Sequence, residues 1–105
     1  MNYRTVLSPG AKADMRSARR WYRRIDPNLA FQFSLEGQRV VQRIAQFPYL
    51  FSLVNAKIRR ARLKRFPYAM YYELDSHMAF VITVLHQRRS EDVWQQRSHG
   101  DPYSR

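Results

Sequence analysis

The run Ala79-Phe80-Val81-Ile82-Thr83-Val84-Leu85 is apolar on both alternating faces. A strand with one face in water alternates apolar and polar residues, so this run predicts a central strand covered on both sides. Working back from it, Asp75-Ser76-His77 reads as a hairpin turn and residues 68–74 as the preceding strand. Phe66-Pro67 separates that strand from another at residues 58–63. Connections this short favour an antiparallel meander. Tyr71 and Tyr72 are adjacent, so in a regular strand they face opposite sides, and at most one belongs to any given face. Phe66 and Phe80 read as core residues.

An apolar sheet face needs cover, and the upstream sequence supplies two helices. Residues 3–7 read as a first strand, after which Ser8 caps a helix beginning at Pro9 and running to about Ile25. Ala11, Met15, Ala18, Tyr22 and Ile25 recur at steps of three and four, forming one apolar stripe that Trp21 widens. Arg16, Arg19, Arg20, Arg23 and Arg24 fall mainly outside it. Asp26-Pro27 repeats the cap-plus-proline signal, and the second helix carries Ala30, Phe33, Gly37, Val40 or Val41, Ile44 and Phe47 before Pro48. A helical glycine costs about 1 kcal/mol relative to alanine, so Gly37 marks a close approach of the two helices.

Residues 48–57 read as a loop whose Tyr49, Leu50, Phe51, Leu53 and Val54 either pack back on the domain or are covered by a partner. After the third strand of the meander, Ser90 caps a short last helix with Val93 and Trp94, and residues 98–105 form a flexible tail. The expected fold is α+β: an N-terminal strand and a helical hairpin packed on a curved, mainly antiparallel sheet, with a short C-terminal helix. Residues 1–105 make one domain, since 105 residues hold too little material for a second core.

Sixteen arginines and three lysines oppose eight carboxylates, a formal charge of +11. Arginine is the planar, multidentate donor suited to phosphates and carboxylates, so the bias favours a polyanionic target, an acidic partner protein, or both. With no cysteine, neither a disulfide framework nor a thiolate metal site is available, and the eight carboxylates show no metal-cluster spacing. Neither metal nor cofactor is expected. Residues 1–7 lack signal-peptide character and no run approaches the roughly 20 apolar residues that span a bilayer, which places the chain in the cytoplasm without a membrane partner.

The element order, with Leu7-Ser8-Pro9, Ala11 and Asp14 entering the first helix, Trp21-Tyr22 near its end, Ile58-Arg59-Arg60, Arg65-Phe66-Pro67-Tyr68 with Tyr71-Tyr72, and Val84-Leu85-His86-Gln87-Arg88-Arg89 followed by Trp94, resembles the RelE/ParE superfamily of bacterial toxins. The phrasing is similar to the ParE-like or plasmid-stabilisation group. The resemblance covers about residues 3–97 and implies a toxin of a type II toxin-antitoxin system, neutralised by an acidic, partly disordered antitoxin that wraps across helices and sheet. ParE-like members inhibit growth by poisoning DNA gyrase; RelE-like members are ribosome-dependent, metal-independent endoribonucleases that cut messenger RNA. The family's tyrosine just beyond the final strand has no clear counterpart here, which weighs against the nuclease. An inactive relative that only binds partners is a third reading.

Metal-free RNA cleavage needs proton transfer at a ribose hydroxyl and charge stabilisation at phosphorus. His86, whose reference pKa near 6.5 allows both protonation states, with Arg60 and Arg65 or Arg89 on a concave sheet, would meet those demands. His86 equally reads as a structural strand-end histidine. The binding reading nominates Arg16, Arg20, Arg23, Arg59, Arg60 and Arg88, with Tyr71 and Trp94 as stacking residues. Arg59, Arg60 and Arg65 alternatively pair with Glu73 or coat the surface.

Overall fold

A computed structural model describes residues 3–87. In chain order the elements are β1 (Arg4–Leu7), α1 (Pro9–Ile25), α2 (Pro27–Gln46), β2 (Arg59–Arg62), β3 (Tyr68–Asp75) and β4 (Met78–His86). The helix expected from Ser90 and the tail at 98–105 lie outside the described residues. The architecture is α+β, a helical hairpin on a four-stranded sheet of order β1-β4-β3-β2. β2, β3 and β4 form the antiparallel meander, while β1 pairs parallel to β4 on its other side, making the sheet mixed.

The run 79–85 lies in an interior strand, and a bulge explains its two apolar faces. Val81 pairs with Tyr72 and Val84 with Met70, so β4 holds one more residue between these positions than β3 does. Val81 and Val84, three apart, therefore both join the core beneath the helices, while Ile82 and Leu85 join a smaller cluster with Ile58, Ala69 and Tyr71. The tyrosine pair splits the same way: Tyr72 belongs to the large core and Tyr71 to the small one, and both are buried. Phe66 is a core residue; Phe80 is only half-buried and belongs to neither cluster.

Each helix starts where the sequence signals it. Ser8 Oγ accepts from Ala11 N at 3.0 Å and donates to Ile82 O at 2.8 Å, so one hydroxyl caps α1 and ties it to β4. Asp26 accepts from Asn28 N while its own N–H bonds Tyr22 O, ending α1 and starting α2 in one residue. β1 stops at Leu7, opposite Val81, which leaves the rest of that β4 edge in need of partners. Asp14 meets that need: its Oδ2 accepts from Val84 N at 2.9 Å and from Thr83 Oγ1 at 2.8 Å.

The apolar stripes are shorter than expected. Ala11, Ala18 and Tyr22 are buried, but Trp21 and Ile25 are exposed, because the packed part of α1 ends at Tyr22, whose ring meets Phe33, Phe66 and Tyr68. On α2, Ala30, Phe33, Gly37, Val40 and Ile44 are buried. Phe47 is exposed, since it is the C-cap and its backbone (φ −133°, ψ 64°) has left the helix.

Candidate functional site

A groove of about 650 Å³ lies between the two helices. Gly37 lies on its lining: a Cβ there would stand 2.6 Å from Met15 Cε, so the space beside the glycine is taken by the end of the Met15 side chain and not by the α1 backbone. Met15, Val41, Leu7 and Met70 form the apolar floor. Lys12, Arg16 and Arg19, spaced four and three apart on α1, make one wall, and Ser34, Gln38 and Gln42 of α2 the other.

The cationic wall is electrostatically uneconomical for α1 itself. The helix carries six cations and a single carboxylate, Asp14, which is committed to β4. Like charges four apart destabilise a helix by about 0.2–0.5 kcal/mol per pair, and Lys12/Arg16, Arg16/Arg20, Arg19/Arg23 and Arg20/Arg24 are four such pairs. Arg23 and Arg24 sit in the last turn, where the helix dipole favours them, but Lys12 and Arg16 gain nothing from it. Arg39 pairs with Glu36 at 2.7 Å and Lys57 with Glu73 at 3.8 Å, and neither salt bridge involves a cation of the groove. The groove thus presents unneutralised charge above an apolar floor.

A second cavity, about 380 Å³, lies between the latter half of α1 and the end of β4, with Asp14, Ser17, Trp21, Tyr22, Tyr68 and His86 on its walls. Burial pushes the Tyr22 hydroxyl above its ordinary pKa, and neighbouring Tyr68 adds to the shift. The His86 ring stands edge-on to Tyr68 at 5.2 Å.

Two residues of the nuclease reading, His86 and Arg60, do not share a face of the sheet. His86 pairs with Tyr68, which packs on the core beneath the helices, whereas Arg60 pairs with Tyr71, on the opposite face of the sheet. Arg65 is exposed in the β2–β3 connection at φ 72°. Arg88, Arg89 and Trp94 lie outside the described residues.

Of the expected binding residues, Arg16 lines the groove, Arg20 and Arg23 are exposed on α1 beyond it, and Tyr71, 1% exposed, is a core ring and not an open stacking platform. Arg59 is turned inward, donating to Phe51 O at 2.7 Å, and it does not pair with Glu73. Lys12 and Arg19 were missed, although the helical spacing to Arg16 would have found them. Glu36 was also missed: it is 4% exposed and accepts from Arg39 and from Lys64 N, so it is a strut between α2 and the β2–β3 connection. Nothing in its local sequence distinguishes it from a solvated helix carboxylate. Among the described residues no cluster of His, Asp or Glu could hold a metal, and no helix is long and apolar enough to cross a membrane.

Fold and surface together define a small, strongly basic α+β domain with a cation-walled apolar groove. The chain belongs to the ParE toxin family: residues 5–91 match the family described as ParE toxin of type II toxin-antitoxin system, parDE. Among solved structures it is similar to a chain of the chromosomal ParDE toxin-antitoxin system from P. aeruginosa, with TM-score 0.71, 14% identity, and coverage of 80% of this chain and 95% of that one. At that identity the likeness is one of fold. No curated protein sequence matches it.

Proposed function

We propose that this chain is the toxin of a type II toxin-antitoxin pair, acting in the cytoplasm, and that it arrests growth by binding an essential target such as DNA gyrase. The observation that carries the reading is the groove, where Lys12, Arg16 and Arg19 stand unneutralised over Met15 and Val41. That combination suits an amphipathic segment of an acidic antitoxin, with its apolar side chains on the floor and its carboxylates against the wall. Membership over residues 5–91 supports the same pairing. The opposite-face placement of His86 and Arg60 favours a binding toxin over a messenger-cleaving one.

Expression of the chain in bacterial cells is expected to stop growth, and co-expression of the small acidic protein encoded beside it to restore growth. Purified toxin should inhibit supercoiling and leave ribosome-bound messenger intact. Cleaved messenger with normal supercoiling would replace this reading with the ribonuclease one.

A further inference from the structure

The segment between α2 and β2 holds the apolar residues that the groove leaves unexplained. Phe47, Tyr49, Leu50 and Leu53 are 54, 64, 58 and 51% exposed, four large apolar side chains within seven positions. Pro48, Phe51 and Val54 pack inward, so the segment is anchored and not a loose tether. Tyr72 Oη donates to Pro48 O at 2.6 Å, Arg59 Nη1 to Phe51 O at 2.7 Å, and Arg60 N to Ser52 O at 3.0 Å. The Arg59 guanidinium also lies 5.1 Å from the centre of the Tyr49 ring, and Tyr3 packs edge-on against that ring. A surface ordered before binding loses little freedom on binding, and an exposed aromatic and aliphatic cluster backed by arginine has the composition of an interface centre.

Charge selects the occupant. Arg43 stacks on Phe51, Arg59 on Tyr49, and Arg4 bonds through its N–H to His77 O at the same end of the sheet. None of the three forms an ion pair with a described carboxylate. The carboxylates at this end are Glu73, facing Lys57, and Asp75, at the turn into β4. A second copy of a chain with net charge +11 would bring the same arginines against these, which opposes self-association. Nucleic acid would meet Leu50 and Leu53, aliphatic side chains that offer neither base stacking nor phosphate contact.

The geometry points to residues 47–53 as a docking surface for a protein segment with apolar side chains at its centre and Asp or Glu at its edge, supplied by the growth-limiting target and not by the antitoxin. The inference rests on the toxin reading and adds where the target binds. None of the residues lining the groove belongs to 47–53, so the two surfaces share no side chain and substitutions can address them separately.

The test expresses the full chain as wild type, Leu50→Glu/Leu53→Glu and Leu50→Ser/Leu53→Ser, each with and without the acidic protein encoded beside it. Melting temperature reports folding, and affinity for that protein reports the antitoxin site. Survival after induction is expected to rise about 100-fold for the Glu pair and less for the Ser pair, as loss of two interface-centre side chains implies. Antitoxin affinity should stay within about threefold of wild type, the additivity expected of separate sites. Variants as toxic as wild type would sink this surface and leave the toxin reading standing. A loss of antitoxin affinity as large as the loss of toxicity would assign the segment to the antitoxin, and wild-type self-association abolished by the substitutions would assign it to a second copy; either overturns the inference. Loss of the cooperative melting transition in both variants would make the segment structural and overturn it too. A wild type that leaves growth untouched removes the toxin reading, and this inference with it.

Discussion

In the groove between α1 and α2 the apolar atoms of Met15 and Val41 lie at the bottom and Lys12, Arg16 and Arg19 stand at the rim; along residues 47–53 the order is reversed, with Phe47, Tyr49, Leu50 and Leu53 exposed and Arg59 folded against Tyr49. The same residue types therefore do different work. At the groove an approaching partner first meets unscreened positive charge, which raises the rate of encounter and makes binding depend on salt. Along the segment it first meets apolar surface already fixed in place, which governs how slowly it leaves. The difference comes from what each arginine is given: those on α1 have no carboxylate on their own helix except the committed Asp14, while Arg59 has backbone carbonyls and an aromatic ring.

Neutralising the rim should break the comparison most sharply. Lys12→Gln/Arg16→Gln/Arg19→Gln is expected to weaken antitoxin binding by about 100-fold or more and to flatten its salt dependence, measured by calorimetry across ionic strengths. The same variant should melt higher, since it removes like-charge pairs worth about 0.2–0.5 kcal/mol each. Growth arrest should persist and no longer be rescued by the antitoxin. A variant that binds antitoxin like wild type would show that the rim is only a solvated face.

The hairpin and the meander were legible because each rests on local rules: capping residues and a period of 3.6 or 2. The bulge that sends both Val81 and Val84 to the helices was not, because it depends on how many β4 residues face β3, which no run of residues encodes by itself. The site was half legible. Arg16, a binding candidate from sequence, lines the groove, but Tyr71 and Arg59 look from sequence like any other aromatic and cation on a strand, and only the register turns one into core and the other into a loop anchor. For the same reason His86 and Arg60 could be imagined on one surface until pairing put them on opposite faces.

Asp14 and Tyr72 each anchor one of the two surfaces, so their loss should separate them. Asp14→Ala leaves Val84 N and Thr83 Oγ1 without the oxygen they share. Leaving the buried Val84 N–H without that acceptor costs on the order of 1–3 kcal/mol, which should lower the melting temperature by roughly 5–15 °C. Because Asp14 fixes α1 against β4, antitoxin affinity should fall with it, while toxicity per folded molecule stays. Equal losses of both would mean that the domain responds as one rigid unit.

Tyr72→Phe is the milder counterpart, since it removes only the hydroxyl that donates to Pro48 O. It should cost about 1–2 kcal/mol and weaken growth arrest more than antitoxin binding. Burial pushes this phenol up to about 12 from the ordinary 10.0, against a smaller downward pull from the Arg59 guanidinium. The folded state therefore holds the proton more tightly than the unfolded one, so this contribution is complete below pH 10 and is lost as pH rises toward 12. Wild type should accordingly exceed Tyr72→Phe in denaturant midpoint by a constant margin up to pH 10, and the margin should shrink between pH 10 and 12. A margin independent of pH over that interval would mean that Tyr72 ionises equally easily in both states, and that the segment is not held through its proton.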